Sequence, residues 1–205
     1  MSLTDSQIRD LCDRMDIPLG DICFKDELPE ELEFNKGYFI NLQDSVDQDG
    51  KPSPGTHWTF VECMKYPNDS TMGFYFDPYG VAPPENVKRV VKNTLGKQGL
   101  PYSTKDIQSL MNNACGFYCL AFAHFINSSK YRSGYLFNDV EAFLDMFEDL
   151  NKSADFKKNE YILKHFFRSE NPEIRKEIDI ITDDDTPGEI DGFRLPVDIK
   201  VIGEK

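Results

Sequence analysis

The segment from Cys115 to Asn127, CGFYCLAFAHFIN, constrains this chain more than any other. Its apolar side chains recur on every side of a helix, so the pattern predicts a helix surrounded by protein rather than lying on a surface. The only interruptions are Tyr118 and His124, and the run is too short and too polar to span a bilayer. Such a helix needs a shell of other elements, and 205 residues supply one domain large enough to build it.

The shell can be read along the chain. Residues 4–16 predict an amphipathic helix, with Thr4 and Gln7 as a capping box and Ile8, Leu11, Cys12 and Met15 on one face. Residues 21–36 read as acidic and irregular. Tyr38–Leu42 predicts a strand, and 44–55 a loop rich in Asp, Gly, Pro and Ser. His57–Met64 and Met72–Asp77 predict two strands of a hairpin around a Pro-Asn-Asp-Ser turn. Pro83 and Pro84 open a helix closed by Gly96, with Val87, Val90, Val91 and Leu95 on its apolar face. Tyr102–Gln108 reads as a short strand or turn. Two later helices are expected, Asp139–Leu150 capped by Asp139 and Asn159–Arg168. No repeat or low-complexity tract is visible.

Charge and cysteine content narrow the function. A net charge of −13 argues against nucleic acid as a strong partner. Beyond Ser169 the chain turns more acidic: Asp183-Asp184-Asp185 with Pro187-Gly188 reads as a solvated linker, and Phe193–Ile202 as a strand or docked arm. The expected division is therefore a domain over 1–168 and an acidic extension over 169–205. The N-terminal MSLTDSQIRD has neither the basic nor the apolar region of a signal peptide. Five cysteines without framework spacing point to a reduced, intracellular chain. With no CxxC pair, no metal site is expected.

Four residues stand out chemically. Cys115 heads the buried helix, where helix N–H groups and dipole favour a thiolate. Gly116 after it allows close approach of another chain. His57 opens one strand and Asp77 closes the next, so a hairpin turning at Pro67 sets imidazole and carboxylate opposite each other. Gln108 lies seven residues before Cys115, where its amide could donate to an oxyanion beside the Cys115 N–H. Singly, each has a bland reading: a core cysteine, a strand-edge histidine, a turn aspartate, a solvated glutamine. The other histidines fit less well. His124 lies about 13 Å further along the same helix at 1.5 Å per residue. His165 would give the Cys-then-His order of papain-like enzymes without their local signature.

Together, His57-Trp58, Phe76-Asp77-Pro78-Tyr79-Gly80 and Gln108 ahead of Asn113-Ala114-Cys115-Gly116-Phe117-Tyr118-Cys119 resemble the adenain family of viral maturation proteases and the wider ubiquitin-like-protein proteases. The resemblance runs from about Leu3 to Arg168. It implies an α+β cysteine-peptidase fold, with a nucleophile-bearing central helix on a mixed sheet. It implies Cys115 as nucleophile, His57 as base and acid, Asp77 as orienter and Gln108 as oxyanion donor. Trp58 and Gly116 would line the substrate groove. The implied substrates are capsid or other virion precursor proteins, cut at glycine-containing sites. The implied source is a virophage or related DNA virus, with the enzyme in the host cytoplasm or viral factory and packaged in the virion. An isopeptidase acting on ubiquitin-like modifiers shares this layout, and a non-catalytic interaction protein that kept the fold is a third reading. Two departures bear on helpers. The charge of −13 speaks against a DNA cofactor, and no cysteine between Cys63 and Cys115 could receive a disulfide-linked peptide. A peptide activator is the one helper left open; no other cofactor is expected.

Overall fold

The computed structural model describes residues 3–97, 99–110, 112–152 and 156–170. In chain order the elements are α1 (Asp5–Arg14), β1 (Leu19–Phe24), β2 (Gly37–Asn41), β3 (Trp58–Lys65), β4 (Thr71–Phe76), α2 (Glu85–Leu95), α3 (Cys115–Asn127), α4 (Leu136–Asp145) and α5 (Phe156–Glu170). The fold is α+β. Its sheet has the order β1-β2-β3-β4 and is mixed: β1 runs parallel to β2, and the other neighbours are antiparallel.

β3 explains why the sheet has two covered faces. Seven of its eight residues are buried, so both sides of its pleat must be packed. Trp58, Phe60 and Met64 join Phe74 and Phe76 of β4 in the core against α3. Val61 and Cys63 alternate with them and join Tyr75, Val87, Val90 and Val91 beneath α2. On the first face, α3 is buried from Cys115 through Ala123 and again at Phe125 and Ile126. Phe122 is its keystone: its ring stacks on Phe76 at 4.4 Å between centroids and meets Phe143 of α4 edge-on at 5.3 Å. α1, α4 and α5 supply the remaining cover, through residues such as Ile8, Val140 and Phe166.

Several local expectations hold. Thr4 caps α1, its hydroxyl accepting from the Gln7 N–H while the Gln7 side chain accepts from the Thr4 N–H. Gly96 ends α2 in the left-handed conformation that glycine adopts without penalty. Tyr102 makes a bridge with Tyr75 rather than a strand.

Other expectations are corrected. The region expected to be irregular from residue 21 begins inside β1, an edge strand whose ladder is supplied by β2. α4 begins at Leu136, so Asp139 sits within its first turn, where Oδ1 accepts the Ser133 N–H at 2.7 Å. The hairpin centres on Asn68, not Pro67, because Phe60 pairs with Phe76 and Lys65 with Thr71. A two-residue change of register keeps every side chain on its expected face, whereas a one-residue change would not. His57 and Asp77 therefore still share a face but meet diagonally. The linker and arm expected in the acidic extension lie outside the described residues.

Candidate active site

The end of the β3–β4 hairpin meets the head of α3, and three expected residues converge there. His57 Nε2 and Asp77 Oδ1 are 2.9 Å apart, with the Asp77 side chain only 1% exposed. The His57 ring also lies close enough to the Cys115 thiol for each to shift the other's charge equilibrium. With Nε2 on the aspartate, Nδ1 is the nitrogen left for sulfur. Cys115 Sγ further accepts the Trp58 N–H at 3.5 Å. Ala114 caps α3 without a side-chain hydrogen bond, so N–H groups at the helix head face the site unclaimed by a cap.

The electrostatics follow from these contacts. Burial pushes the Cys115 thiol up, but hydrogen bonding and the charge of His57, with the Trp58 and Gly116 N–H groups, outweigh it and hold the thiol below its ordinary 9.0. Burial likewise pulls His57 down, but Asp77 and Cys115 outweigh it and raise the ring to about 9. Both shifts run in the direction that favours a thiolate beside an imidazolium.

A tight turn builds this geometry. Asp77 Oδ1 also accepts the Tyr79 N–H at 2.8 Å, and the Gly80 N–H returns to the Asp77 carbonyl at 2.9 Å. Gly80 has φ +69°, and a Cβ there would come within 2.6 Å of the Thr104 carbonyl. Tyr79 is thereby laid on His57, ring centroids 4.6 Å apart. The Pro78 carbonyl accepts the N–H groups of Ile107 at 2.9 Å and Gln108 at 3.2 Å. One turn thus orients the imidazole and anchors the segment leading to Cys115.

Gln108 is buried at 1% exposure. Its Nε2 donates to Tyr79 Oη at 3.2 Å, to the Asn112 carbonyl at 3.2 Å and to Asn112 Oδ1 at 3.1 Å. It is joined to His57 through Tyr79, whose ring stacks on the imidazole. Trp58 and Gly116 lie beside the thiol but are buried. The Trp58 indole donates to the Leu3 carbonyl at 2.9 Å, and a Cβ on Gly116 would sit 3.1 Å from Leu3 Cδ1 and 3.4 Å from Trp58 Cδ1. Leu3 therefore roofs both residues expected in the groove.

Neither alternative histidine reaches the thiol's surroundings. His124 faces α1, its Nδ1 3.1 Å from the Met15 carbonyl, and His165 stacks on Tyr161. Among the described residues no three or more His, Cys, Asp or Glu side chains gather as a metal site, and no helix is long and apolar enough to cross a membrane. Sequence reasoning missed Leu3, the stacking of Tyr79 and the hydrogen bond that Asn112 Nδ2 donates to Glu160 of α5. Tyr79 was marked by its Pro-Tyr-Gly context; Glu160, from a distant helix, carried no signal. Compared with known proteins, the chain matches no family model and no curated protein.

Proposed function

We propose that this chain is a cysteine endopeptidase of the adenain and ubiquitin-like-protein protease type, processing capsid or other virion precursor proteins at glycine-containing sites. The observation that carries the reading is the grouping of Asp77, hydrogen-bonded to His57, with Cys115 beside that ring at a helix head. A cysteine nucleophile requires that combination: a base within reach, and a carboxylate holding the base.

The chemistry runs as acyl transfer. The Cys115 thiolate attacks the carbonyl carbon after a glycine, and the carbonyl oxygen takes the negative charge. The Cys115 N–H and the Gln108 amide stabilise that oxyanion. His57 gives its proton to the leaving amine as the C–N bond breaks, leaving a thioester on Cys115. Water, deprotonated by His57, then releases the acid and regenerates the thiol. Asp77 keeps the ring oriented and stabilises its protonated form. Under this reading the enzyme works in the host cytoplasm or viral factory, is packaged in the virion and has precursor proteins as partners, with a peptide activator as its one candidate helper.

The test is incubation of wild type and Cys115→Ala with precursor proteins of the same genome, new termini being mapped by mass spectrometry. Wild type alone should create termini after glycine. Cleavage of a ubiquitin-like fusion with the precursors left intact would assign the isopeptidase activity instead. Cleavage that persists in Cys115→Ala would remove the assignment.

A further inference from the structure

α5 contributes two side chains to the segment preceding Cys115, and their chemistry gives that segment a direction. Asn159 Nδ2 donates to the carbonyls of Ile107 at 3.0 Å and Glu148 at 2.8 Å. Glu160, buried at 8% exposure, accepts from Asn112 Nδ2. Consecutive residues of one helix thus grip the segment on both sides of Gln108.

We propose that Glu160 and Asn112 are positioning residues that decide which way round the Gln108 carboxamide sits. The inference rests on the acyl-transfer reading above, because it concerns the oxyanion donor of that reaction. Glu160 Oε1 accepts from Asn112 Nδ2, so the donor end of Asn112 faces the carboxyl. Asn112 Oδ1 must then face the other way. There it accepts the Ala114 N–H at 3.2 Å and Gln108 Nε2 at 3.1 Å. The Asn112 carbonyl accepts the same Nε2 at 3.2 Å. Two oxygens on one side admit the NH2 end of Gln108 and repel its carbonyl end.

The consequence lies in the second Nε2 hydrogen. One is held by Asn112. The other points to Tyr79 Oη at 3.2 Å, beside the ring stacked on His57. An oxyanion forming on the Cys115 acyl group would replace the phenol oxygen as acceptor of that hydrogen. A flipped Gln108 would present its carbonyl oxygen there and destabilise the same charge. Glu160 therefore transmits its acceptor polarity through Asn112 to Gln108, without touching substrate.

The test uses the full chain, labelled with 15N, and three readouts. The first is the NMR signal of the Gln108 side-chain NH2, assigned by its disappearance in Gln108→Ala. The second is Cys115-dependent release of p-nitrophenol from acetyl-Gly-Gly p-nitrophenyl ester. The third is alkylation of Cys115 by iodoacetamide, a displacement that forms no oxyanion. Glu160→Gln, whose amide can turn either end to Asn112, should move or split the Gln108 signal. It should lower kcat for the ester about tenfold, with KM and alkylation little changed, as loss of part of an oxyanion donor's roughly 10²-fold effect. Adding Glu160→Gln to Gln108→Ala should cause no further loss. Should Glu160→Gln fail to fold, Asn112→Ala replaces it with the same expectations. An unmoved Gln108 signal overturns the proposal whatever the activity, and so does an additive loss in the double variant. A moved signal in a protein whose wild type shows no Cys115-dependent ester turnover upholds the orienting chain and overturns the hydrolase reading alone.

Discussion

Cys115 and Cys119 stand one turn apart on α3, both buried, and both touch the backbone of Trp58. They do so with opposite polarity. Cys115 Sγ accepts the Trp58 N–H at 3.5 Å, whereas Cys119 Sγ donates to the Trp58 carbonyl at 3.3 Å. Burial pushes the Cys119 thiol well above its ordinary value, and nearby Cys115 and Asp77 push it further. At Cys115 the same burial is overcome by His57 and by N–H groups. Burial alone keeps a thiol protonated and inert; burial beside a histidine held by a carboxylate shifts it toward the reactive thiolate. Trp58 offers its carbonyl to the Cys119 thiol and its N–H to the Cys115 sulfur.

The comparison breaks most sharply by deletion. Cys115→Ala should lower hydrolysis about 10⁴-fold or more, as removal of a covalent nucleophile does. Cys119→Ala should stay within a few-fold of wild type in activity and lose about 1 kcal/mol of stability, measured by denaturant unfolding. Full inactivation by Cys119→Ala in a folded protein would contradict the division of roles. His57→Ala comes next. It removes the cation and the base together, so turnover should fall about 10²–10⁴-fold.

The pH profile sharpens the same contrast. His57 rises from an ordinary 6.5 to about 9 in the folded chain. Its favourable contribution to stability is therefore full below pH 6.5 and lost as pH rises through 9. Activity should fall through that same alkaline region, because the leaving amine loses its proton donor. On the acid side activity should decline as the thiolate is protonated, below the ordinary thiol value of 9.0. A rate that keeps climbing above pH 9 would show a thiol working without its imidazolium.

Glu62 tests the burial of a carboxyl in place of a thiol. This carboxyl lies on β3 and accepts the Asn127 amide at 2.8 Å, its other oxygen buried without a hydrogen-bond partner. Burial raises it from 4.5 to about 7 against the pull of Asn127 and Arg132. The folded state then holds its proton more tightly, so stability is full below pH 4.5 and falls as pH rises through 7. Glu62→Gln should remove this loss, gaining about 2–3 kcal/mol over wild type at pH 8 and little at pH 4. Equal effects at both pH values would point to packing rather than charge.

The legible parts of the fold were those with a local cause. An all-round apolar run must be central, and α3 is. Thr4, Gln7 and Gly96 act within one turn of their helices, and their signals read directly. The hairpin was readable, but its centre was not. Asn68 lies at the middle because Tyr66 and Ser70 close the loop at 2.9 Å and Asp69 takes φ +61°. β1 was hidden because Gly20 and Asp21 weaken its pattern and its register comes from β2. At the site, His57, Asp77 and Cys115 could be brought together from strand ends and a helix start. Leu3 and Glu160 could not, because their contacts join residues 55 and 48 positions apart. Such contacts follow from helix packing, which periodicity does not encode.

The most direct test of the central claim is the pH dependence of Cys115 alkylation by iodoacetamide, followed by mass spectrometry in wild type and His57→Ala. The account predicts a wild-type midpoint below the ordinary thiol value, moving upward when the imidazole is removed, while Cys119 stays unlabelled in both. A midpoint that does not move, or labelling of Cys119 at the same rate, would contradict it.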